Sequence, residues 1–197
     1  MPNHLASLVP IHLLLLAMLF QAHLPVMADE PAGLAEARKV ASSVPPKLLQ
    51  VLSEEIARGG PESAIAVCRE KAPELARAAS EQTGWNIRRV SLRNRNPKAV
   101  PDTWERAALE EFDRRAALGE NPATLEKGEA VVTDAGRPEY RYMKALPVQQ
   151  ICLACHGASD KLTPAVTSQL HKLYPDDKGV GYSLGQIRGA MTIRKAM

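Results

Sequence analysis

The chain has 197 residues, and its 25 lysines and arginines against 22 aspartates and glutamates give a formal net charge of +3. This excess is too small to predict a nucleic-acid partner, and 45% hydrophobic residues suit a globular domain with one core. After the N-terminus, no segment approaches the roughly 20 apolar residues of a transmembrane helix.

The N-terminal segment, residues 1–28, is predicted to be a signal peptide. Leu13 to Phe20 is an apolar run of eight residues, too short to span a bilayer but typical of a signal-peptide core. Small or apolar residues in Val26-Met27-Ala28 favour cleavage after Ala28. We therefore expect a soluble periplasmic protein, with residues 29–197 as a single domain. Because no lysine or arginine precedes the apolar run, a retained N-terminal anchor is the alternative.

The first part of the predicted mature chain has helical patterns. Amphipathic helices are predicted over 31–43 and 47–58, and Pro45-Pro46 between them should break or kink the helix. Gly59-Gly60-Pro61 is typical of one helix ending and another beginning, and the next helix is predicted to extend to Gln82.

A cap and an irregular connection are predicted to follow. Gly84 suits the C-terminal cap of the preceding helix, and the basic stretch from Ile87 to Pro101 predicts an irregular connection. Asp102 with Glu105 three residues later resembles a capping box, and Gly119 marks the end of the helix that it starts.

Strands are predicted later in the chain. Residues 129–133 and 140–148 have β-branched or alternating character around a turn containing Gly136, which predicts a hairpin. A helix-like segment follows over 163–173, and residues 190–193 predict a final strand. Helices first and strands later indicate an α+β fold.

Cys152-Leu153-Ala154-Cys155-His156 is a Cys-x-x-Cys-His motif, the attachment site of a c-type haem. The two thiols would form thioethers to one covalent haem c, and His156 would be the proximal ligand of its iron. A zinc site that adds Cys68 and His171, or a disulfide between Cys152 and Cys155, would use the same thiols. Neither alternative explains a histidine directly after the second cysteine.

Cys68 is an odd thiol in a chain that is predicted to be exported. It belongs to an apolar face at helical spacing, formed by Ile65, Cys68, Ala72, Leu75 and Ala79. A thiol on such a face is either packed in the core or bound to the haem iron. From the residues alone, Cys68, His171 and Met143 remain candidates for the distal iron ligand.

Arginines near the motif are candidates for holding the haem propionates, because guanidinium groups pair with carboxylates in two-pronged geometry. The basic connection contains Arg88, Arg89, Arg93, Arg95 and Lys98. We predict contacts from Arg88, Arg95 and Arg188, with a solvated surface as the alternative for each.

Several motifs together resemble one family, the periplasmic c-type haem domain with a PAS-like fold. The motifs are Ala64-Ile65-Ala66-Val67-Cys68 with Ala72-Pro73, Asn94-Arg95-Asn96-Pro97, Pro101-Asp102-Thr103-Trp104-Glu105-Arg106, Cys152 to Gly157, and Gly181-Tyr182 leading into Ile187-Arg188-Gly189-Ala190. The resemblance covers residues 61–193.

The resemblance implies a PAS-like antiparallel sheet flanked by long N-terminal helices, with one covalent haem and His/Cys ligation. In this sequence those ligands would be His156 and Cys68. Two departures occur: Pro45-Pro46 falls where the family would have a continuous helix, and Gln186 stands where an acidic residue is usual.

Iron held on both faces favours one-electron transfer or a redox response over catalysis, and a thiolate ligand predicts a low potential. The sequence contains no nucleophile–base pair or carboxylate dyad, so we expect no enzyme activity. We expect an unidentified redox protein as the partner, and the sequence specifies no oligomeric state. The alternative is a haem-based gas or redox sensor that signals through a partner protein.

Overall fold

The computed structural model describes Met1 and residues 33–197, so the predicted signal peptide after Met1 lies outside the described residues. The fold is α+β, with a four-stranded antiparallel sheet and a long N-terminal helix. In the described part of the chain, no helix is long and apolar enough to cross a membrane.

The sheet has the strand order β1-β4-β3-β2, which places the last strand of the chain in its interior. The helices are α1 (Leu34–Thr83), α2 (Thr103–Ala117), α3 (Leu153–His156) and α4 (Pro164–Leu173). The strands are β1 (Asn86–Val90), β2 (Glu126–Val132), β3 (Pro138–Pro147) and β4 (Ile187–Ala196).

Helix α1 folds back on itself at Gly60, which has the left-handed φ of 79° inside an otherwise helical segment. Ala41 and Ala76 are 35 residues apart, a distance of about 50 Å in a straight helix. Both nevertheless pack into one core cluster with Trp85 and Ile87. The segments 34–59 and 61–83 therefore run side by side, as Gly59-Gly60-Pro61 predicts.

The expectation of a break at Pro45-Pro46 is wrong, because α1 continues through both prolines. Each proline removes one backbone hydrogen bond from the helix. Val40, Ala41 and Val44, directly before them, are at most 7% exposed and pack against the sheet. Their burial holds this part of α1 in a helical path.

Two core clusters cover the two faces of the sheet. On one face, residues from both segments of α1 pack on Trp85, Ile87, Tyr142 and Ile193. On the other, α2 contributes Leu109 and Phe112, which pack on strand residues such as Val90 and Met143. Alternate residues of β1 therefore point to α1 and to α2.

The remaining helix and strand predictions are confirmed, with one exception. Asp102 and Glu105 form the capping box of α2, Gly84 caps α1, and the hairpin of β2 and β3 turns at Gly136. The exception is 87–101, where the first residues form β1 rather than an irregular connection. The sequence pattern does not predict this strand, because the charged residues Arg88 and Arg89 interrupt its apolar alternation.

Gly189 is the glycine for which we expect the largest substitution effect. It lies in β4 with a φ of 152°, and a Cβ there would stand 2.3 Å from the backbone oxygen of Val90. The variant Gly189→Ala should lose about 3 kcal/mol of the free energy of unfolding, measured in urea. At Gly136, with φ 73° and open space around it, alanine should cost only about 1 kcal/mol. Equal losses would contradict the steric explanation.

Candidate functional site

The Cys-x-x-Cys-His motif begins at Cys152, on the turn that enters α3, and continues through α3, which packs against α1. The thiol of Cys155 donates to the backbone oxygen of Pro61, at 3.6 Å, so the motif meets α1 just after its reversal at Gly60. Cys68, Cys152 and Cys155 are all free, half-buried thiols. The described residues contain no group of three or more His, Cys, Asp or Glu side chains arranged to hold a metal ion.

The ring of His156 is oriented by the loop before β4. Its Nδ1 lies 2.6 Å from the backbone oxygen of Gly179 and 3.1 Å from Nε of Arg188. Since one nitrogen cannot donate and accept at once, we assign the shorter contact as the hydrogen bond, with Nδ1–H as donor. This tautomer leaves the lone pair of Nε2 available for a metal.

His156 is neutral at ordinary pH in this environment. Burial, and then the positive charges of Arg188 and Arg95, hold the pKa of its imidazole well below the usual range. The neutral imidazole is the form that binds a metal. The backbone N–H of Tyr182 also donates to the oxygen of His156, at 2.9 Å, which fixes the motif to the loop.

Two of the three arginines predicted to contact the propionates lie next to the motif. Arg95 bonds the backbone oxygen of Cys155 at 2.5 Å and pairs with Asp177 at 2.9 Å. Arg188 is buried, donates to Ser91, and reaches His156. Burial and the neighbouring charge of Arg89 lower the pKa of Arg188 to about 9. Both side chains already serve to hold the loop around His156.

The third predicted arginine, Arg88, lies on the other face of the sheet. It pairs with the buried carboxylate of Glu105, in the first turn of α2, and its guanidinium approaches the backbone oxygens of Lys98 and Val100. The structure thus separates Arg88 from the motif and brings Arg89 to it instead. Alternation along β1 determines this exchange, but that signal is available only once the strand is known.

Cys68 is the distal-ligand candidate that lies at this site. It follows the buried Ile65 by one turn of α1, and the charges of Arg89, Arg95 and Cys152 act on its thiol. Burial raises the pKa of the Cys68 thiol, and the arginines partly offset that effect.

The other two candidates for the distal ligand are less well placed. His171 is exposed on α4. Met143 is fully buried in β3 and belongs to the cluster that faces α2, whereas Cys68 approaches from α1. Met143 is therefore separated from the motif by the sheet, whereas α4 packs beside Cys155 through Val166 and Leu170 and leaves the side chain of His171 exposed to solvent.

Comparison with known proteins identifies a family. The family model described as Tll0287-like matches residues 25–195. The chain belongs to this family. This match confirms the family resemblance that the sequence motifs indicate. A crystal structure of the cyanobacterial haem protein Tll0287 matches with a TM-score of 0.63 and 23% identity, covering 85% of this chain and 97% of that one. No curated protein matches the chain.

The residues of this Tll0287-like chain fit a c-type haem. Cys152, on the turn that enters α3, and Cys155 and His156, on α3 itself, supply two free thiols and an imidazole with an available Nε2, and a third thiol approaches from α1. Arg89, Arg95 and Arg188 add positive charge around them, and of these only Arg95 has a carboxylate partner. Such a donor set suits a cofactor that carries negative charge.

Proposed function

We propose that the chain binds one covalent haem c in a PAS-like fold. Cys152 and Cys155 would form its thioethers, His156 would be the proximal iron ligand, and Cys68 the distal one. The observation that carries this proposal is the orientation of His156, whose Nδ1 is bonded to Gly179 so that Nε2 is available. Membership of the Tll0287-like family supports it, since the solved relative is described as a haem protein.

The surrounding arginines support the same cofactor. Arg95 and Arg188 are proposed to contact the propionates, because both lie beside the motif. Arg88 forms an ion pair with Glu105 on the face of the sheet that α2 covers, so its position does not support the predicted propionate contact.

The function supported best is one-electron transfer or a redox response, in a protein exported to the periplasm with a redox protein as its partner. When bound, the haem supplies a one-electron couple. His156 and Cys68 would both hold the iron, which disfavours substrate turnover and enzyme activity. The contacts between His156 and the loop before β4 would hold this imidazole in place while the charge of the iron changes.

A haem-based gas or redox sensor is the second candidate. Cys68 lies on the segment of α1 that follows the Gly60 reversal, whereas His156 is held by the loop before β4. Release of Cys68 would let that helical segment shift and signal to a partner protein.

Carbon monoxide binding to the reduced holoprotein distinguishes the two functions. A carrier keeps Cys68 on the iron, so we expect slow and incomplete binding in stopped-flow spectra. A Cys68→Ala variant, with its distal position open, provides the fast-binding reference. Rapid stoichiometric binding of carbon monoxide by the unmodified protein would favour the sensor over the electron carrier.

A further inference from the structure

Arg89 is an arginine without a protein partner in a half-buried position. Other arginines removed from solvent are paired: Arg95 with Asp177, Arg141 with Asp102, and Arg188 with Ser91. Within the part of the chain that the structure describes, Arg89 makes no hydrogen bond and no ion pair. A bound cofactor would cover this half-buried guanidinium, and since an uncompensated buried cation is costly, Arg89 should then meet an anion.

The course of the chain directs Arg89 toward Cys68. Ile87, on the same face of β1, packs in the cluster that α1 covers, and its N–H donates to Ser80 at 3.0 Å. Gly84 and Trp85 reverse the chain after α1, so β1 runs back along the helix in the direction of Cys68. Arg89 follows Ile87 on the same face of β1, about 7 Å further in that direction.

The groups around Arg89 leave one candidate anion among the protein side chains. The acidic groups that act electrostatically on it are Cys68, Cys152 and Tyr182. A thioether at Cys152 carries no charge, and the neutral phenol is the ordinary form of a tyrosine. Asp177 is already paired with Arg95. Cys68 remains.

We infer that Arg89 is a positioning residue for Cys68: its guanidinium donates an N–H to the iron-bound sulfur. This inference rests on the proposed His/Cys ligation and adds a control of that ligand. A positive donor beside the sulfur withdraws electron density from it, so the ferric state is stabilised less. Arg89 therefore keeps the reduction potential higher than the thiolate alone would set it.

The test compares reduction potentials and iron–sulfur stretching frequencies, from resonance Raman spectra, in holoprotein variants. In Arg89→Leu, the equilibrium constant for reduction should fall at least tenfold, which is about 59 mV for one electron. The stretching frequency should rise, because the sulfur donates more strongly. Arg69→Leu is the matched control: it removes the same charge from an exposed position beside Cys68, and should change the constant less than twofold.

A double-mutant cycle assigns the effect to the sulfur. In a Cys68→Ala background, Arg89→Leu should shift the reduction constant less than twofold. An equal shift in both backgrounds would show that Arg89 acts on a propionate or on the iron from a distance, and would overturn the inference. No shift in either background would overturn it as well.

Arg89→Lys keeps the test decisive if the leucine variant does not take up haem. Lysine retains the charge but not the geometry of the guanidinium, so the stretching frequency should move while the potential stays close to that of the unmodified protein. An unchanged frequency would refute the hydrogen bond. Failure of the proposed function would be distinguishable, because the unmodified protein itself would then lack covalent haem or thiolate signals.

Discussion

Replacing both Cys152 and Cys155 by alanine should abolish covalent haem attachment. The two thiols lie on the turn that enters α3 and on α3 itself, are free and half-buried, and have no disulfide partner. Produced with a haem-maturation system, the unmodified protein should keep its haem through acid denaturation and gain the mass of one haem. The double variant should show neither property, and each single variant should retain at most one thioether.

Cys68→Ala is the matched control for this experiment, since it also removes a half-buried thiol from the site but leaves the motif intact. Its covalent haem should survive denaturation. Intact-mass spectrometry and absorbance after acid extraction measure both outcomes. Haem released from the unmodified protein on denaturation, or tightly bound zinc in its place, would refute covalent attachment.

Local chemistry explains which structural features the sequence predicts well. The capping box of Asp102 and Glu105 satisfies backbone groups within one turn, and Gly84 adopts the left-handed conformation that ends α1. The Cys-x-x-Cys-His motif requires only that three residues be adjacent. Such signals are complete within a few residues, so the structure confirms both helix ends.

Features that depend on distant packing are predicted poorly. The prolines at 45 and 46 would interrupt an isolated helix, but burial of Val44 and its neighbours against the sheet outweighs their local effect. Strand β1 is stabilised by pairing with β4 and by the contact of Arg88 with Glu105, which lies on another element. Which of Arg88 and Arg89 faces the motif follows from that strand, so the sequence stretch alone could not distinguish them.

The site shows the same division between local and distant signals. The adjacent Cys-x-x-Cys is enough to predict His156 as an iron ligand. Its orientation, however, is set by the backbone oxygen of Gly179, 23 residues later. Cys68 lies more than 80 residues before the motif, and the fold-back of α1 at Gly60 brings it there. The sequence alone does not show which of Cys68, His171 and Met143 is the distal iron ligand. Their order along the chain says nothing about where the fold places each side chain.

Cys68→Ala should convert the holoprotein into one with an open distal position. The thiolate signature of the ferric spectrum should disappear, while covalent haem remains because Cys152 and Cys155 are untouched. Without an anionic thiolate to stabilise ferric iron, the equilibrium constant for reduction should rise more than tenfold, at about 59 mV per factor of ten. Spectroelectrochemical titration measures this change, and imidazole or carbon monoxide should now bind rapidly.

The controls for Cys68→Ala follow from the positions of the rejected candidates. His171→Ala removes an exposed side chain on α4 and should leave both spectrum and potential unchanged. Because Met143 is packed under α2, Met143→Leu should lower stability by less than about 1.5 kcal/mol without altering the ferric spectrum. An unchanged ferric spectrum in Cys68→Ala would instead transfer the distal role to another residue, and a changed spectrum in His171→Ala would identify it. Because Cys68 approaches the motif from α1 and His171 does not, the structure favours loss of the thiolate signal in the first variant alone.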